Sequence, residues 1–414
     1  MIKIDIPDYV RAVMAEIRKY DPLDGDELYR GKAYIVGGCV RDALLGSVPN
    51  DWDVTTNCKP YDIMEIFSDA PGFKAIPTGI EHGTVTVVYD GKPVEVTTFR
   101  SEQTYVGHRY PIGVNFHLCI DKDLERRDFT INAMAYSDEE GIIDLNGGMD
   151  DIKARLIRCV GDPKFRFDED ALRILRALRF SSVLDFDIEK STADAAIEMR
   201  EFVACLSAER ITAELSKLLM GKRAPDIITG FAPIFAELFP VLGEDDILFA
   251  GEYMKRLEGA SLPLMYAALI SDVSRERLKS AFFHLRLDNK TRQHIENIIL
   301  HLRTEISGRA DLKRLIRDVG AECAKDIVKL GTARFEYAPS LLGELSEVIE
   351  SGECCSRSDL MIGGDRLLSL GAEPKSIGNV LDRLLDGVIS GNLKNDRGTL
   401  ERAALEMINR KETT

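Results

Sequence analysis

The chain has 414 residues and a net charge of −15, because 54 lysines and arginines stand against 69 aspartates and glutamates. That length allows about three domains of roughly 150 residues each. With 45% apolar and 30% charged residues, the chain is neither disordered nor collagen-like. No stretch approaches the roughly 18 uncharged apolar residues of a membrane helix, so we expect no membrane partner. The acidic balance argues at first against a nucleic-acid partner, because bulk negative charge repels phosphate.

The N-terminus and the cysteines indicate a cytoplasmic protein. Residues 1–7 lack the shape of a signal peptide. The eight cysteines have irregular spacings without a C-x-x-C pair, which is typical of reduced thiols rather than of a disulfide framework or a zinc site. They are Cys39, Cys58, Cys119, Cys159, Cys205, Cys323, Cys354 and Cys355.

A helical pattern opens the chain, where Val10, Val13, Met14 and Ile17 recur at the spacing of one helix face. Strand patterns follow, and Asp90-Gly91 between two of them is a hairpin turn signal. These strand patterns cover 33–36, 84–89, 94–99 and 142–145. The helical patterns between them cover about 40–46, 60–67 and 123–136. Together they predict an α+β head over residues 1–150, built on a small mixed sheet with helices.

From residue 151 onward, helical patterns follow one another to the end of the chain, with glycine or proline between them and no strong strand pattern. We therefore expect an elongated, all-helical remainder. Its expected parts are a neck over 151–222, a body over 223–340 and a tail over 341–414.

The first candidate site lies where a strand runs into Gly37-Gly38 and then into a helix. Backbone N–H groups at such a junction suit an anion such as phosphate, and Arg41 in the first helical turn can reach the same anion. Asp51 and Asp53 follow, separated by one residue, so both carboxylates point to one face if this segment is a strand. Two such carboxylates can hold hard divalent cations together with substrate phosphates. Taken alone, D-x-D is more often part of a solvated loop.

The combination G-G-x-V-R-D followed by D-x-D resembles the motif of the class II polymerase-β-like nucleotidyltransferases, the bacterial-type tRNA CCA-adding enzymes and poly(A) polymerases. The resemblance implies a nucleotidyltransferase head in which Gly38 and Arg41 bind a triphosphate. It also implies that Asp51 and Asp53 are catalytic and hold Mg²⁺, which activates a 3′-hydroxyl and stabilises the leaving pyrophosphate. Glu95, in the 94–99 strand pattern, is a candidate third carboxylate or else a charged residue on an edge strand.

The segment R-R-D-F-T-I-N-A begins at Arg126. Its residues offer donors for phosphate and an acceptor for hydroxyls, although Asp128 can equally be the cap of a helix. The segment closely resembles the second motif of the same family. By that resemblance, Arg127 contacts the bound nucleotide and Asp128 helps to select a ribonucleotide.

Residues 170–179 have the pattern of an amphipathic helix. Its apolar residues fall within an arc of about 100° and predict a stripe facing the core: Ala171, Ile174, Leu175 and Leu178. Its polar residues wind along the other half: Asp170, Arg173, Arg176 and Arg179. This polar half predicts either an ion pair between Asp170 and Arg173 beside a solvated basic face, or an edge that reads a nucleobase.

A carboxylate beside a guanidinium can read a base, because Asp170 accepts from an exocyclic amine while Arg173 donates to a ring nitrogen or carbonyl. Cytosine and adenine carry that amine where uracil and guanine carry a carbonyl, so the pair would accept CTP and ATP and reject UTP and GTP. The E-D-x-x-R sequence at 169–173 also resembles the protein template of the family, which implies that Arg176 and Arg179 line the nucleotide pocket. A segment at 207–219 resembles the motif that buttresses this helix.

The resemblance covers residues 33–220 and, more loosely, the tail, which grips tRNA in relatives. It implies template-independent addition of C, C and A to the 3′ end of tRNA from CTP and ATP, and leaves the oligomeric state open. Addition of CC or A alone, and less so poly(A) synthesis, remain alternatives, because the loop Y-x-D-x-R-x-P keeps Arg109 but has Gly107 in place of the acid. A non-catalytic RNA-binding protein is a further alternative, against which the intact carboxylates argue.

Overall fold

The computed structural model describes residues 2–23, 25–102, 105–106, 110–111 and 113–409. Gly107 and Arg109, on which the loop prediction depends, lie outside the described residues. The chain forms two compact units, one of residues 1–240 with 283–286 and one of residues 241–282 with 287–414. None of the helices formed by the described residues has the length and apolarity to cross a bilayer.

The strands belong to the first unit. They are β1 (Ala33–Val36), β2 (Asp53–Thr56), β3 (Phe73–Gly79), β4 (Thr84–Tyr89), β5 (Lys92–Thr98), β6 (Arg100–Glu102), β7 (Tyr105–Val106), β8 (Tyr110–Pro111), β9 (Val114–Phe116), β10 (Met134–Ser137), β11 (Gly141–Asp144), β12 (Leu156–Ile157) and β13 (Asp187–Ile188). Seven of them form a mixed sheet in the order β11-β10-β1-β2-β5-β4-β3. Within it β2 and β5 run parallel, with Asp53 opposite Glu95. The register therefore brings two of the predicted carboxylates to adjacent positions.

Helices cover this sheet and continue beyond it. In the first unit they are α1 (Asp8–Arg18), α2 (Gly38–Leu44), α3 (Pro60–Ser68), α4 (Asp121–Glu125), α5 (Gly148–Ala154), α6 (Pro163–Glu169), α7 (Leu172–Leu184), α8 (Lys190–Glu198), α9 (Ala208–Leu219), α10 (Ala224–Gly230) and α11 (Ala232–Leu238). The predicted apolar stripe of α1 is confirmed, because Val10, Val13, Met14 and Ile17 are all buried in the core of the head. The α+β head with its mixed sheet is confirmed.

Two stretches differ from the sequence prediction. Residues 123–136 do not form one helix: α4 ends at Glu125, a 3₁₀ turn spans Thr130–Asn132, and β10 follows. The run from Phe129 to Tyr136 is buried throughout, so its apolar residues carry no period that separates helix from strand. Beyond residue 151, the short parallel pair of β12 and β13 interrupts a helical series that the sequence left unbroken.

The continuous helix predicted over 170–179 is also wrong. Helix α6 ends at Glu169, Asp170 is extended with φ −143° and ψ 103°, and α7 begins at Leu172. The apolar stripe itself is confirmed by the buried residues Ala171, Ile174, Leu175 and Leu178. Because Asp170 precedes α7, the helical wheel does not place its side chain.

The second unit is helical, as predicted for the remainder of the chain. Its helices are α12 (Glu244–Met254), α13 (Leu262–Leu269), α14 (Leu278–Ala281), α15 (Asn289–His301), α16 (Arg309–Val319), α17 (Ala321–Ala333), α18 (Leu341–Glu350), α19 (Gly364–Ser369), α20 (Ile377–Ile389) and α21 (Arg397–Asn409). The last three helices share a core that includes Leu367, Leu384 and Leu400, all fully buried.

Candidate active site

Most of the residues predicted from the motifs surround one cavity of about 470 Å³, which we call the first cavity. The predicted site residues that line this cavity are Gly38, Arg41, Asp51, Asp53, Arg127, Asp128, Arg176 and Arg179. The β1–α2 junction, the start of β2, the turn after α4 and one side of α7 contribute them. Among the described residues around this cavity, Asp170 and Arg173 are not included.

The carboxylate pair lies at the start of β2. That strand begins at Asp53, and Asp51 lies in the bend before it, so the pair is not wholly within a strand as predicted. Both side chains nevertheless line the same cavity. Burial, Glu95 and Asp51 raise the pKa of Asp53, against an opposing effect of Arg127. Carboxylates that repel one another in this way favour a cation between them.

The donor set fits a hard divalent cation that also binds substrate oxygens. Among the described residues, no three His, Cys, Asp or Glu side chains are grouped closely enough to complete a metal site by themselves. Mg²⁺ commonly binds through one or two carboxylates plus substrate phosphates, rather than in an all-protein cage. Asp51 and Asp53 have the donor atoms of such a pair, and ligation of Mg²⁺ by them, like ligation by Glu95, stays a prediction.

Arg127 lies against the backbone at the β1–α2 junction. Gly37 has φ +82°, and a Cβ there would come within 2.8 Å of Nη1 of Arg127. The positive φ favours glycine at this position, and a larger residue would displace the Arg127 guanidinium. Arg127 is fixed from its other side, because its Nη2 donates to Oδ2 of Asp123 at 3.1 Å.

Asp123 is a residue that the sequence reasoning missed. It is completely buried, and its Oδ1 accepts a hydrogen bond from Nη2 of Arg126 at 2.8 Å. Burial alone would raise the pKa of Asp123, but Arg127 and Arg126 hold it below its usual value. The signal was present in the sequence, since residues three and four positions apart on a helix form ion pairs.

Arg41 is buried beside the same junction. Its Nη1 donates to Oδ1 of Asn132 at 2.6 Å, and its Nε donates to Oδ1 of Asp42 at 2.8 Å. The guanidinium carbon lies 5.0 Å from the ring centroid of Phe180 on α7. These contacts hold Arg41 at the wall of the first cavity.

Asp128 is the centre of a hydrogen-bond network. Its Oδ2 accepts from Nε of Arg176 at 2.8 Å, and its Oδ1 accepts from Nδ2 of Asn132 at 3.1 Å and from the Phe129 amide at 2.8 Å. Burial works to raise the pKa of Asp128, but Arg176 and these donors lower it to about 2. The carboxylate is therefore ionised and fixed, with Arg176 oriented across the cavity.

The arginines of α7 are held by a carboxylate from α9. Oε2 of Glu214 accepts from Nε of Arg179 at 2.5 Å, and its Oε1 lies 3.9 Å from Nη1 of Arg176. Arg179 also stacks on Phe180, with 3.8 Å between the guanidinium carbon and the ring centroid. Glu214 belongs to the segment 207–219 that was predicted to buttress the base-reading helix, and its contacts are those of a buttress.

Asp170 and Arg173 have partners that the sequence did not indicate. Both carboxylate oxygens of Asp170 accept from Nη2 of Arg210 on α9, at 2.7 and 3.1 Å. Nη1 of Arg173 donates to Oε2 of Glu169 at 2.5 Å, and its Nη2 donates to the Arg126 carbonyl at 3.1 Å. Arg173 is only 7% exposed, so the alternative of a solvated basic face does not hold at this residue.

A second cavity, of about 500 Å³, lies on another side of the carboxylate pair. It shares Asn50, Asp51 and Asp53 with the first cavity. Its other lining residues are Tyr9, Trp52, Thr86, Lys92, Pro93 and Glu95. Tyr9 thus lines the same cavity as the carboxylate pair, and burial, followed by Asp51, raises the pKa of Tyr9.

Comparisons with known proteins follow this division of the chain. Residues 33–158 match the family model of the poly A polymerase head domain, and residues 185–231 match that of a probable RNA and SrmB binding site of polymerase A. Residues 262–404 match the model of tRNA nucleotidyltransferase domain 2.

Individual relatives extend the likeness over most of the chain. The CCA-adding enzyme of Lactobacillus delbrueckii subsp. bulgaricus is 34% identical over 89% of this chain and 92% of its own. That of Bacillus licheniformis is 35% identical over 89% of this chain and 93% of its own. The crystal structure of the Bacillus stearothermophilus CCA-adding enzyme in complex with CTP has a TM-score of 0.78 and 29% identity, and covers 98% of each chain.

Proposed function

The chain belongs to the family of CCA-adding enzymes, and on that premise we propose how it adds C, C and A to the 3′ end of tRNA from CTP and ATP. The observation that carries this proposal is the first cavity of about 470 Å³, whose described lining residues include four arginines and four aspartates, Asp51 and Asp53 among them. Arginines in that number suit a triphosphate, and a pair of carboxylates suits the cation that accompanies it.

We propose that the nucleotide lies in the first cavity with its triphosphate against Gly38 and Arg41. Asp51 and Asp53 would hold Mg²⁺, whose chemistry there is to polarise the 3′-hydroxyl and neutralise charge on the leaving pyrophosphate. The 3′-oxygen of tRNA forms a bond to the α-phosphorus, and the bond from that phosphorus to the bridging oxygen breaks. Pyrophosphate leaves with the electron pair, and the hydroxyl proton passes to solvent.

We propose that the residues around the sugar are held in fixed positions and orient the sugar. Arg127 is held by its hydrogen bond to Asp123, and we propose that it meets the nucleotide in that position. Asp128 is fixed by the Phe129 amide, Asn132 and Arg176, and we propose from the resemblance that it helps to select a ribonucleotide. Such pre-organised groups lower the barrier, since little reorganisation remains at the moment of reaction.

We propose that Asp170 and Arg173 read the base, as the resemblance implies. Arg210 neutralises and orients Asp170 while leaving it lone pairs for an exocyclic amine. Arg173 hydrogen-bonds the Arg126 carbonyl, so the base-reading group is tied to the segment that holds the ribose. A base with a carbonyl in place of the amine sets a partial negative charge against the Asp170 carboxylate, and this repulsion is the proposed physical source of selectivity.

The decisive experiment incubates the full chain with tRNA ending at the discriminator base, together with CTP and ATP. A ladder of C, C and A products supports the proposal, whereas absence of extension overturns it. Extension that stops at CC, or that needs CC already present, identifies a partial activity, and long A tails identify a poly(A) polymerase. The Asp51→Asn variant is the control, and UTP and GTP test base selection.

The eight free cysteines fit the cytoplasm, which we propose as the location.

A further inference from the structure

The two cavities beside the carboxylate pair differ in chemistry. The first cavity is lined by four arginines, including Arg41 and Arg179. The second cavity has one cation, Lys92, and two aromatic side chains. Because both contain Asp51 and Asp53, a reaction at these carboxylates can join a molecule in one cavity to a molecule in the other.

A triphosphate suits the first cavity and not the second. Among the described lining residues, four arginines balance four aspartates in the first cavity. In the second cavity three carboxylates, Asp51, Asp53 and Glu95, exceed the single cation Lys92, which disfavours a ligand with several adjacent negative charges. A nucleotide at the end of an RNA chain carries a single charge at its phosphodiester. The exposed Lys92 can form an ion pair with that charge.

Tyr9 and Lys92 form the part of the second cavity that is suited to a nucleotide. The Nζ of Lys92 lies 5.0 Å from the ring centroid of Tyr9. Tyr9 projects from α1 and is packed, partly buried, against the core of the head, so its ring is fixed before a ligand arrives. Trp52, only 6% exposed, closes the cavity from inside.

We propose that the second cavity binds the 3′-terminal nucleotide of the RNA being extended, with its base on Tyr9 and its phosphodiester near Lys92. This inference rests on the proposed function, since it assigns the partner of the nucleotide in the first cavity. The end of the RNA changes identity after each addition, so its site must tolerate any base. Stacking on an aromatic ring meets that need, because every base has a π-face. Helix α1 precedes residues 33–158, which match the head-domain model, so that model says nothing of Tyr9.

Steady-state kinetics of the full chain test the assignment. Tyr9→Ala should raise KM for tRNA about 10-fold to 100-fold, as loss of one base–aromatic stack does, while the dissociation constant of CTP measured without tRNA stays unchanged. Tyr9→Phe keeps the ring and should restore the KM for tRNA. Lys92→Ala should raise the KM for tRNA a few-fold, and its KM should equal that of the wild type at high salt.

The control is Tyr61→Ala, which removes another tyrosine of the head, 73% exposed on α3, and should leave both constants unchanged. An unchanged KM for tRNA in both Tyr9→Ala and Lys92→Ala overturns the inference, and Lys92→Ala decides if Tyr9→Ala does not fold. An equal rise in the CTP constant overturns it as well, because the second cavity would then belong to the nucleotide. A wild-type chain that fails to extend tRNA contradicts the proposed function instead.

Discussion

The first and second cavities share two carboxylates but are built in opposite ways. In the first cavity the arginines are tied to fixed partners, as Arg176 is to Asp128 and Arg179 is to Glu214. In the second cavity Lys92 and Glu95 are exposed at the rim. A pocket that must choose among nucleotides needs side chains held at defined positions. A pocket for an RNA end whose sequence changes needs a surface that tolerates every base.

The largest expected effect comes from the residue that both cavities share. Asp53→Asn should lower kcat roughly 10³-fold, taking about 4 kcal/mol for the lost charge stabilisation at the reacting oxygens. The same variant should keep or raise Tm at pH 7, because a folded-state pKa above the usual value means that the ionised carboxylate is disfavoured in the fold.

The matched control is Glu65→Gln, an exposed acid on α3, which should change neither quantity. Activity within tenfold of wild type in Asp53→Asn would remove the carboxylate pair from the mechanism. A clear fall in Tm would show that Asp53 stabilises the fold.

The second largest expected effect concerns base selection. Arg173→Ala should relax the preference for CTP over UTP by about 30-fold, in the range of one bidentate base contact, rather than only slow the transfer. Arg166→Ala is the control, because Arg166 donates to the same Oε2 of Glu169 at 2.8 Å without a proposed contact to the base. The ratio of kcat/KM values for CTP and UTP measures the effect. An unchanged ratio in Arg173→Ala contradicts the template role.

The carboxylate pair and the strands around it could be read from the sequence because their signals are local. Strand β4, its hairpin turn and β5 follow from alternation and from Asp90-Gly91, both of which have positive φ. Asp51 and Asp53 stand two residues apart. These features depend on residues close together in the chain and can be predicted without knowing the tertiary packing.

The base-reading segment could not be read in the same way. The break at Asp170 accompanies its bonds to Arg210, forty positions later, and no helical wheel contains that partner. The second cavity is missed for a similar reason, since Tyr9 and Lys92 approach each other only because α1 packs on the sheet. The ion pair of Asp123 with Arg127 could have been predicted from their spacing of four residues. A single aspartate outside a recognised motif, however, does not indicate a functional role.

The third effect tests whether the fixed arginines depend on their anchors. Asp123→Asn keeps the shape of the side chain but removes the charge that Arg126 and Arg127 share. We expect KM for CTP and ATP to rise about 10-fold, as loss of a charge-assisted hydrogen bond does, with KM for tRNA unchanged. Glu125→Gln on the same helix, whose exposed partner is Lys122, is the control. A rise confined to tRNA would instead connect Asp123 with the second cavity.

The smallest effect concerns Asp128, an acid of the first cavity, and is seen in the pH dependence of stability. The pKa of Asp128 is about 2 in the fold against 3.8 as its ordinary value, so its ionisation stabilises the fold above about pH 4, and that stabilisation is lost as the pH falls towards 2. The difference in Tm between wild type and Asp128→Asn should therefore shrink steadily from pH 5 to pH 3. If that difference does not shrink, Asp128 is not fixed as an ion, and the contrast between the fixed side chains of the first cavity and the exposed rim of the second fails at its central residue.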